Sequence, residues 1–185
     1  MRTQVGAAEE SPASRDIVVR GETRKPMDLV IDIADLQVTN DPTSTLVTYS
    51  LGSCLGVAIW DPEVHVGGLL HYMLPESSIS PEKAKLNPAM FADTGIPALF
   101  RAAYQLGAQK KRIIVKVAGG SSLLDDNGTF NIGKRNYVAL RKIFWKNGVL
   151  IESDNVGGSC SRTMRLEVGT GRVTVRNHRT GEIEL

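Results

Sequence analysis

One cysteine and one histidine in a single segment are the first candidates for chemistry. The segment Leu51–Pro75, LGSCLGVAIWDPEVHVGGLLHYMLP, carries Cys54 directly after a Gly-Ser pair and His71 further along. A thiol beside an imidazole is the pair that cysteine hydrolases use to attack an acyl carbon. A free cysteine is also among the most frequently buried residue types, and a histidine on an apolar strand can be a core residue. The residues therefore leave two interpretations open: a nucleophile with its general base, or two packed core side chains.

Two β-rich runs flank Asp61–Val64 and predict a hairpin. If the hairpin is symmetric about the bond between Pro62 and Glu63, Cys54 lies directly opposite His71, with Cβ atoms about 5 Å apart. A one-residue slip would place the two side chains on opposite faces of the sheet. The same register predicts that His71 shares its face with small residues and one leucine, namely Cys54, Gly56, Ala58 and Leu69.

Activation of the thiol needs a physical cause, because a free cysteine has a pKa of about 8.5. Apolar and β-branched residues follow Cys54, so it is predicted at the entrance of a strand, without the field of a helix N-terminus. His71 is then expected to act as ion-pair partner and later as general acid and base. Thr48, near the end of the preceding strand, is a candidate to orient the imidazole through its hydroxyl. Asp61 is less suitable, because it lies at the far end of the hairpin.

The composition limits the classes of function. The chain has 185 residues, 42% of them hydrophobic, which is enough to enclose one core. Its formal net charge of +2 gives no strong field towards nucleic acid. The longest apolar runs are too short for membrane insertion. Cys54 and Cys160 have no spacing typical of a disulfide framework or a zinc site, so we expect reduced thiols, a cytoplasmic location, and neither metal nor cofactor. Cys160 is interpreted as structural.

The pattern along the chain predicts a flexible extension over residues 1–26 and a single domain over residues 27–185. Residues 75–88 are predicted to form a long loop. The expected fold is α+β, a layered α/β sandwich with a largely antiparallel mixed sheet and two main helices. The predicted helices cover about residues 95–106, with Thr94 as cap, and 134–147; the predicted strands lie within residues 29–38, 44–50, 56–60, 66–74, 111–120, 149–153, 163–168 and 172–177.

A succession of short motifs adds a resemblance to a known family. The motifs are GSCLGVAIWD, GGLLHYMLP, DTGIPALF, KVAGG, IGKRN and a final Gly-Gly followed by Arg162, between about Leu46 and Val175. In this order they resemble the CheD family, the chemoreceptor glutamine deamidases of bacterial and archaeal chemotaxis. The resemblance implies a fold similar to the catalytic domains of deamidating toxins. It also implies Cys54 as nucleophile, His71 as general base and Thr48 as an essential threonine. The chain departs from the family in its N-terminal extension and at Val117-Ala118, where an aromatic residue is usual.

The resemblance implies hydrolysis of receptor glutamine side chains to glutamate through a thioester on Cys54, and of glutamyl methyl esters in the same way. The backbone N–H groups of Ser53 and Cys54 are the candidates to hold the oxyanion. The implied partners are the cytoplasmic helices of chemoreceptors and a CheC-type phosphatase. Two other classes of function stay open: a regulatory binding protein whose thiol is dispensable, and a cysteine peptidase or transglutaminase that uses the same pair.

Overall fold

The computed structural model describes residues 27–122 and 131–185. The expected extension, residues 1–26, lies outside this part of the chain. The described residues form ten strands: β1 Met27–Val30, β2 Asp35–Thr39, β3 Ser44–Leu51, β4 Leu55–Asp61, β5 Val66–Tyr72, β6 Ile114–Gly119, β7 Ser153–Val156, β8 Arg162–Glu167, β9 Val173–Asn177 and β10 Gly181–Glu184. They also form three α-helices: α1 Pro81–Leu86, α2 Ala92–Gln105 and α3 Ile132–Lys146.

The strands divide between two five-stranded sheets. The outer sheet has the order β1-β3-β8-β9-β10 and the central sheet has the order β2-β5-β4-β6-β7. Each contains one parallel pair, β1 with β3 and β6 with β7, and is otherwise antiparallel. The α+β class and the mixed, largely antiparallel character are confirmed, but the prediction of one sheet is wrong. A turn at Ala34, where φ is 61°, splits the apolar run over residues 29–38 into β1 and β2, which join different sheets.

Three layers enclose two apolar cores. One core lies between the two sheets and contains Leu46, Ala58, Leu69 and Met164. The other lies between the central sheet and the helices. Apolar residues at helical spacing predicted both helices. In α2 the residues expected to be buried, Ile96, Leu99, Phe100 and Ala103, are all buried. Of the four expected in α3, Leu140 and Phe144 are buried, whereas Tyr137 and Ile143 are half-buried.

Several element boundaries differ from the prediction. Helix α2 begins three residues before the predicted start and its N-cap is Phe91; the Thr94 hydroxyl donates instead to the carbonyl of Pro88 at 2.6 Å. The segment predicted as a long loop, residues 75–88, contains α1 and the short 3-10 helix Ser77–Ile79. A second 3-10 helix, Pro88–Met90, begins at its last residue. Strand β7 lies later than the predicted run, and β10 was not predicted. Within the described ranges, no helix is long and apolar enough to span a membrane.

A buried ion pair closes the β4–β5 hairpin against the start of β6. Asp61, fully buried at the end of β4, lies 2.8 Å from Nη2 of Arg112 and accepts the N–H groups of Gln109 at 2.8 Å and Glu63 at 3.0 Å. Burial alone would raise the pKa of this carboxyl. The hydrogen bonds from Arg112 and the two N–H groups outweigh burial and hold the pKa of Asp61 below its usual value.

We expect Asp61→Ala to lower the free energy of unfolding by about 3 kcal/mol at neutral pH, because Arg112 and two N–H groups lose their acceptor. The carboxyl pKa is lower in the folded state than in the unfolded state. Its stabilisation is therefore complete above the ordinary value of 3.8 and disappears as the pH falls through the folded pKa. Urea unfolding of both proteins at neutral pH and below this value should show the difference shrinking in acid.

Glu82→Ala is the matched control, because Glu82 and Lys85 form an exposed pair at 3.2 Å. Its effect should stay within about 0.5 kcal/mol. The ion-pair explanation is wrong if the Asp61→Ala difference has the same size at both pH values.

Candidate active site

The β4–β5 hairpin places Cys54 and His71 on one face, but not directly opposite each other. His71 is paired with Gly56, and Asp61 with Val66. The four-residue loop is therefore centred between Glu63 and Val64, one residue later than predicted, and the register differs from the prediction by two. A shift of two keeps every side chain on its predicted face. Ala58 and Leu69, predicted on the face of His71, indeed lie in the core between the sheets, and half-buried Cys54 packs against that core. Cys54, one residue before β4, is thus diagonal to His71.

Diagonal positions in an antiparallel pair have Cα atoms about 7–8 Å apart, which long side chains can bridge. Within the described part of the chain, Nε2 of His71 is buried and has no hydrogen-bond partner. The imidazole is therefore not hydrogen-bonded to the thiol of Cys54. Such a contact often forms only when substrate is bound. The structure therefore brings the two predicted residues to one place without joining them.

Thr48 reaches His71 across the gap between the two sheets. Thr48 on β3 and His71 on β5 are both fully buried, and Oγ1 of Thr48 lies 2.7 Å from Nδ1 of His71. The same hydroxyl donates to the carbonyl of Ile31 at 2.8 Å. Because a hydroxyl has one proton, it must accept from His71, so Nδ1 carries the hydrogen and Nε2 keeps a free lone pair.

Burial shifts the pKa values of both candidate groups towards their neutral forms. Burial lowers the pKa of His71 to about 4, although the negative charge of Asp32 opposes this. Burial also raises the pKa of the Cys54 thiol, with a smaller opposite contribution from its own backbone N–H. Both shifts favour the uncharged forms and therefore disfavour the expected resting ion pair of thiolate and imidazolium. A neutral imidazole with a free Nε2 can act as a general base at the moment of attack.

Glycines at the end of β6 allow the loop before β4 to pack closely. Gly120 N–H donates to the carbonyl of Cys54 and Ser121 N–H to the carbonyl of Gly52, both at 2.8 Å. Gly119 has φ of 113°, and a Cβ on it would lie 2.2 Å from the carbonyl oxygen of Cys54. Only glycine fits this position without displacing the loop that carries Cys54.

The N-terminal turn of α3 packs against the same segment. A Cβ on Gly133 would lie 2.4 Å from the carbonyl oxygen of Gly120, whose N–H holds Cys54. The residues that follow Cys54 form a strand, as predicted. The helix terminus that comes near the Cys54 loop belongs to a distant part of the chain, so local sequence gave no signal for it.

Arg162 fixes the other side of this segment. Its guanidinium is almost fully buried and donates to Asn155 Oδ1 at 2.6 Å, to Ser121 Oγ at 2.5 Å and to the carbonyls of Gly157 and Cys160. Cys160 thus takes part through its backbone, and its thiol is free. The network holds the segment after β6 that binds the Cys54 loop. The sequence motif that contains Arg162 did not predict this role.

The comparisons with known proteins give the family. The sequence model of the family described as "CheD chemotactic sensory transduction" matches residues 73–177. "Probable chemoreceptor glutamine deamidase CheD 1" of Syntrophus aciditrophicus is 59% identical over 150 residues, which cover 81% of this chain and 94% of that protein. "Probable chemoreceptor glutamine deamidase CheD" of Solibacter usitatus is 49% identical, covering 81% and 89%. The protein of the same name from Haloarcula marismortui is 37% identical over the full length of both chains.

A search of solved structures gave a weaker match. The crystal structure of Neisseria meningitidis protein NMB0706, family-model DUF152, aligns with a TM-score of 0.41 and 10% identity, over 70% of this chain and 62% of that one. This likeness is too low to support an argument about fold or site. The family assignment rests on the sequence matches, and at these identities and coverages the chain belongs to the CheD family.

Proposed function

We propose that this protein is a chemoreceptor glutamine deamidase that hydrolyses glutamine side chains to glutamate through Cys54. The names of its relatives support this substrate class. The observation that carries the chemistry is the hydrogen bond between Thr48 and Nδ1 of His71, which leaves Nε2 as a free base on the face of Cys54. Cys54 is half-buried and lies at the margin of the core between the sheets.

In the proposed reaction, Nε2 of His71 takes the proton of the Cys54 thiol as sulfur attacks the carboxamide carbon. The carbonyl electrons move to oxygen, which accepts hydrogen bonds from the N–H groups of Ser53 and Cys54. The C–N bond then breaks, and nitrogen takes the proton from Nε2 and leaves as ammonia. A thioester remains on Cys54.

Water attacks the thioester and gives a proton to Nε2 of His71. The C–S bond breaks, glutamate is released, and sulfur regains its proton from the imidazolium. A glutamyl methyl ester has the same acyl carbon and would lose methanol in the first half of the cycle. The product adds one negative charge for each site, which changes the packing between receptor helices.

The partners and location follow from this function. The substrate segments are the cytoplasmic helices of chemoreceptors, and we place the protein in the cytoplasm with them. A CheC-type phosphatase is a second proposed partner. The proposed kinship of the fold with the catalytic domains of deamidating toxins agrees with a layered α+β structure that brings cysteine and histidine together.

The test is incubation of the purified protein with the cytoplasmic fragment of a chemoreceptor, followed by peptide mass spectrometry and an ammonia assay. We expect glutamine-containing peptides to gain the mass difference between an amide and an acid, with one ammonia released for each site. Absence of both products would favour a regulatory binding protein. Peptide fragments would indicate a peptidase, and amine-linked products a transglutaminase.

A further inference from the structure

Asn136 of α3 connects the two segments that carry the candidate nucleophile and base. The side chain is fully buried, and its Nδ2 donates to the carbonyl of Ser53 at 3.0 Å and to the carbonyl of Met73 at 2.8 Å. Ser53 directly precedes Cys54, and Met73 lies two residues after His71. One amide group therefore spans the Cys54 loop and the end of β5.

The orientation of this amide is unambiguous. Both neighbours of Nδ2 are carbonyl oxygens, which only accept, so the nitrogen and not the oxygen must face them. The main-chain carbonyl of Asn136 also accepts the hydroxyl of Tyr72 at 2.8 Å, which anchors the same residue to the end of β5. Asn136 is thus held on one side while its amide holds the Cys54 loop on the other.

The bond to Ser53 also sets the direction of a catalytic N–H group. In a trans peptide the C=O of one residue and the N–H of the next point in opposite directions, and the described peptides include no cis bond. By binding the carbonyl of Ser53, Asn136 fixes the direction of the N–H of Cys54. Ser121 does the same for the N–H of Ser53 by binding the carbonyl of Gly52 at 2.8 Å.

Stability does not account for this arrangement. Oδ1 of Asn136 is buried and, among residues 27–122 and 131–185, has no hydrogen-bond partner. A buried polar atom without a partner costs about 1–3 kcal/mol, which offsets much of what the Nδ2 bonds contribute. Both hydrogen bonds of this side chain go to the segments that carry Cys54 and His71.

We propose that Asn136 is a positioning residue that aims the N–H of Cys54 at the oxyanion. Its amide also fixes the distance between the Cys54 loop and β5, the strand of His71. This proposal rests on the proposed function, because an oxyanion forms only in acyl transfer. It adds to the reaction a residue that touches neither substrate nor thiol.

The test compares three reactions of wild type and Asn136→Ala. They are deamidation of the receptor fragment, acylation of Cys54 by 4-nitrophenyl acetate, and alkylation of Cys54 by iodoacetamide. The first two pass through an oxyanion and the third does not. We expect kcat of deamidation and the acylation rate to fall about 100-fold, with KM and the alkylation rate within about threefold of wild type.

Leu140→Ala is the matched control, because Leu140 is fully buried one turn further along α3 and belongs to the core under the helix. It should destabilise the protein by about 2–5 kcal/mol and still show wild-type rates in all three reactions wherever it remains folded. If Asn136→Ala does not fold, Asn136→Ser replaces it, because its hydroxyl retains one donor. This variant must show the same pattern with smaller changes: slower deamidation and acylation, and an unchanged rate of alkylation.

Unchanged deamidation and acylation, or an equal loss in all three reactions, would overturn the proposal. Failure of the proposed function gives a different result, namely no deamidation by wild type. In that case the rates of acylation and alkylation, compared between wild type and Asn136→Ala, still decide the role of Asn136, because neither reagent involves a receptor.

Discussion

Replacement of Cys54 by alanine is expected to abolish release of ammonia from receptor glutamines, a loss of at least about 10⁴-fold in kcat. The thiol is the only group in the proposed mechanism that forms a covalent bond to the substrate. Alanine removes it with little effect on the fold, because Cys54 is half-buried and lies at the margin of the core between the sheets. Cys54→Ser should be similarly inactive, since a hydroxyl gives up its proton far less readily than a thiol.

Cys160→Ala is the matched control, because Cys160 is the second free cysteine and contributes its carbonyl, which the substitution retains. Its ammonia release should equal that of wild type. Equal ammonia release from wild type and Cys54→Ala would show that deamidation does not depend on this thiol. The protein would then be better described as a regulatory partner of receptors.

His71→Asn is expected to lower kcat by about 10²–10⁴-fold. Asparagine can still donate to Thr48 from the position of Nδ1, so the contact between the sheets is kept while the base is lost.

Because the pKa of His71 is lowered to about 4, the imidazole stays neutral in weak acid. The kcat/KM of wild type should therefore hold its plateau as the pH falls and decline only near pH 4, where the base becomes protonated.

The pH profile separates the two protonation states of the site. A resting ion pair would require protonated His71, and activity would then be lost as the pH rises above its pKa. The neutral pair predicts the opposite sign, with activity lost below about 4. An acid limb that persists in His71→Asn would assign this ionisation to another group.

Thr48→Val, which removes the acceptor of Nδ1, should retain the base but lose its orientation, with a smaller fall in kcat.

The sequence determined which residues share a face. The alternation along β4 and β5 placed Cys54 with His71 because side-chain direction in a strand repeats every two residues. The loop is centred one residue later than predicted, which shifts the register by two, and a shift of two leaves this relation intact. The stripes of α2 and α3 were found for the same reason, since a helix that covers a sheet buries one side at regular spacing.

Only the tertiary structure decided how the layers meet. Thr48 approaches His71 from another sheet, and Asn136 binds the Cys54 loop from a helix far along the chain. Asp32 influences His71 from the turn between β1 and β2, which join different sheets. Such contacts depend on the distance and angle between whole layers. Local periodicity specifies which face of an element is buried, but not which atoms of another layer it will meet.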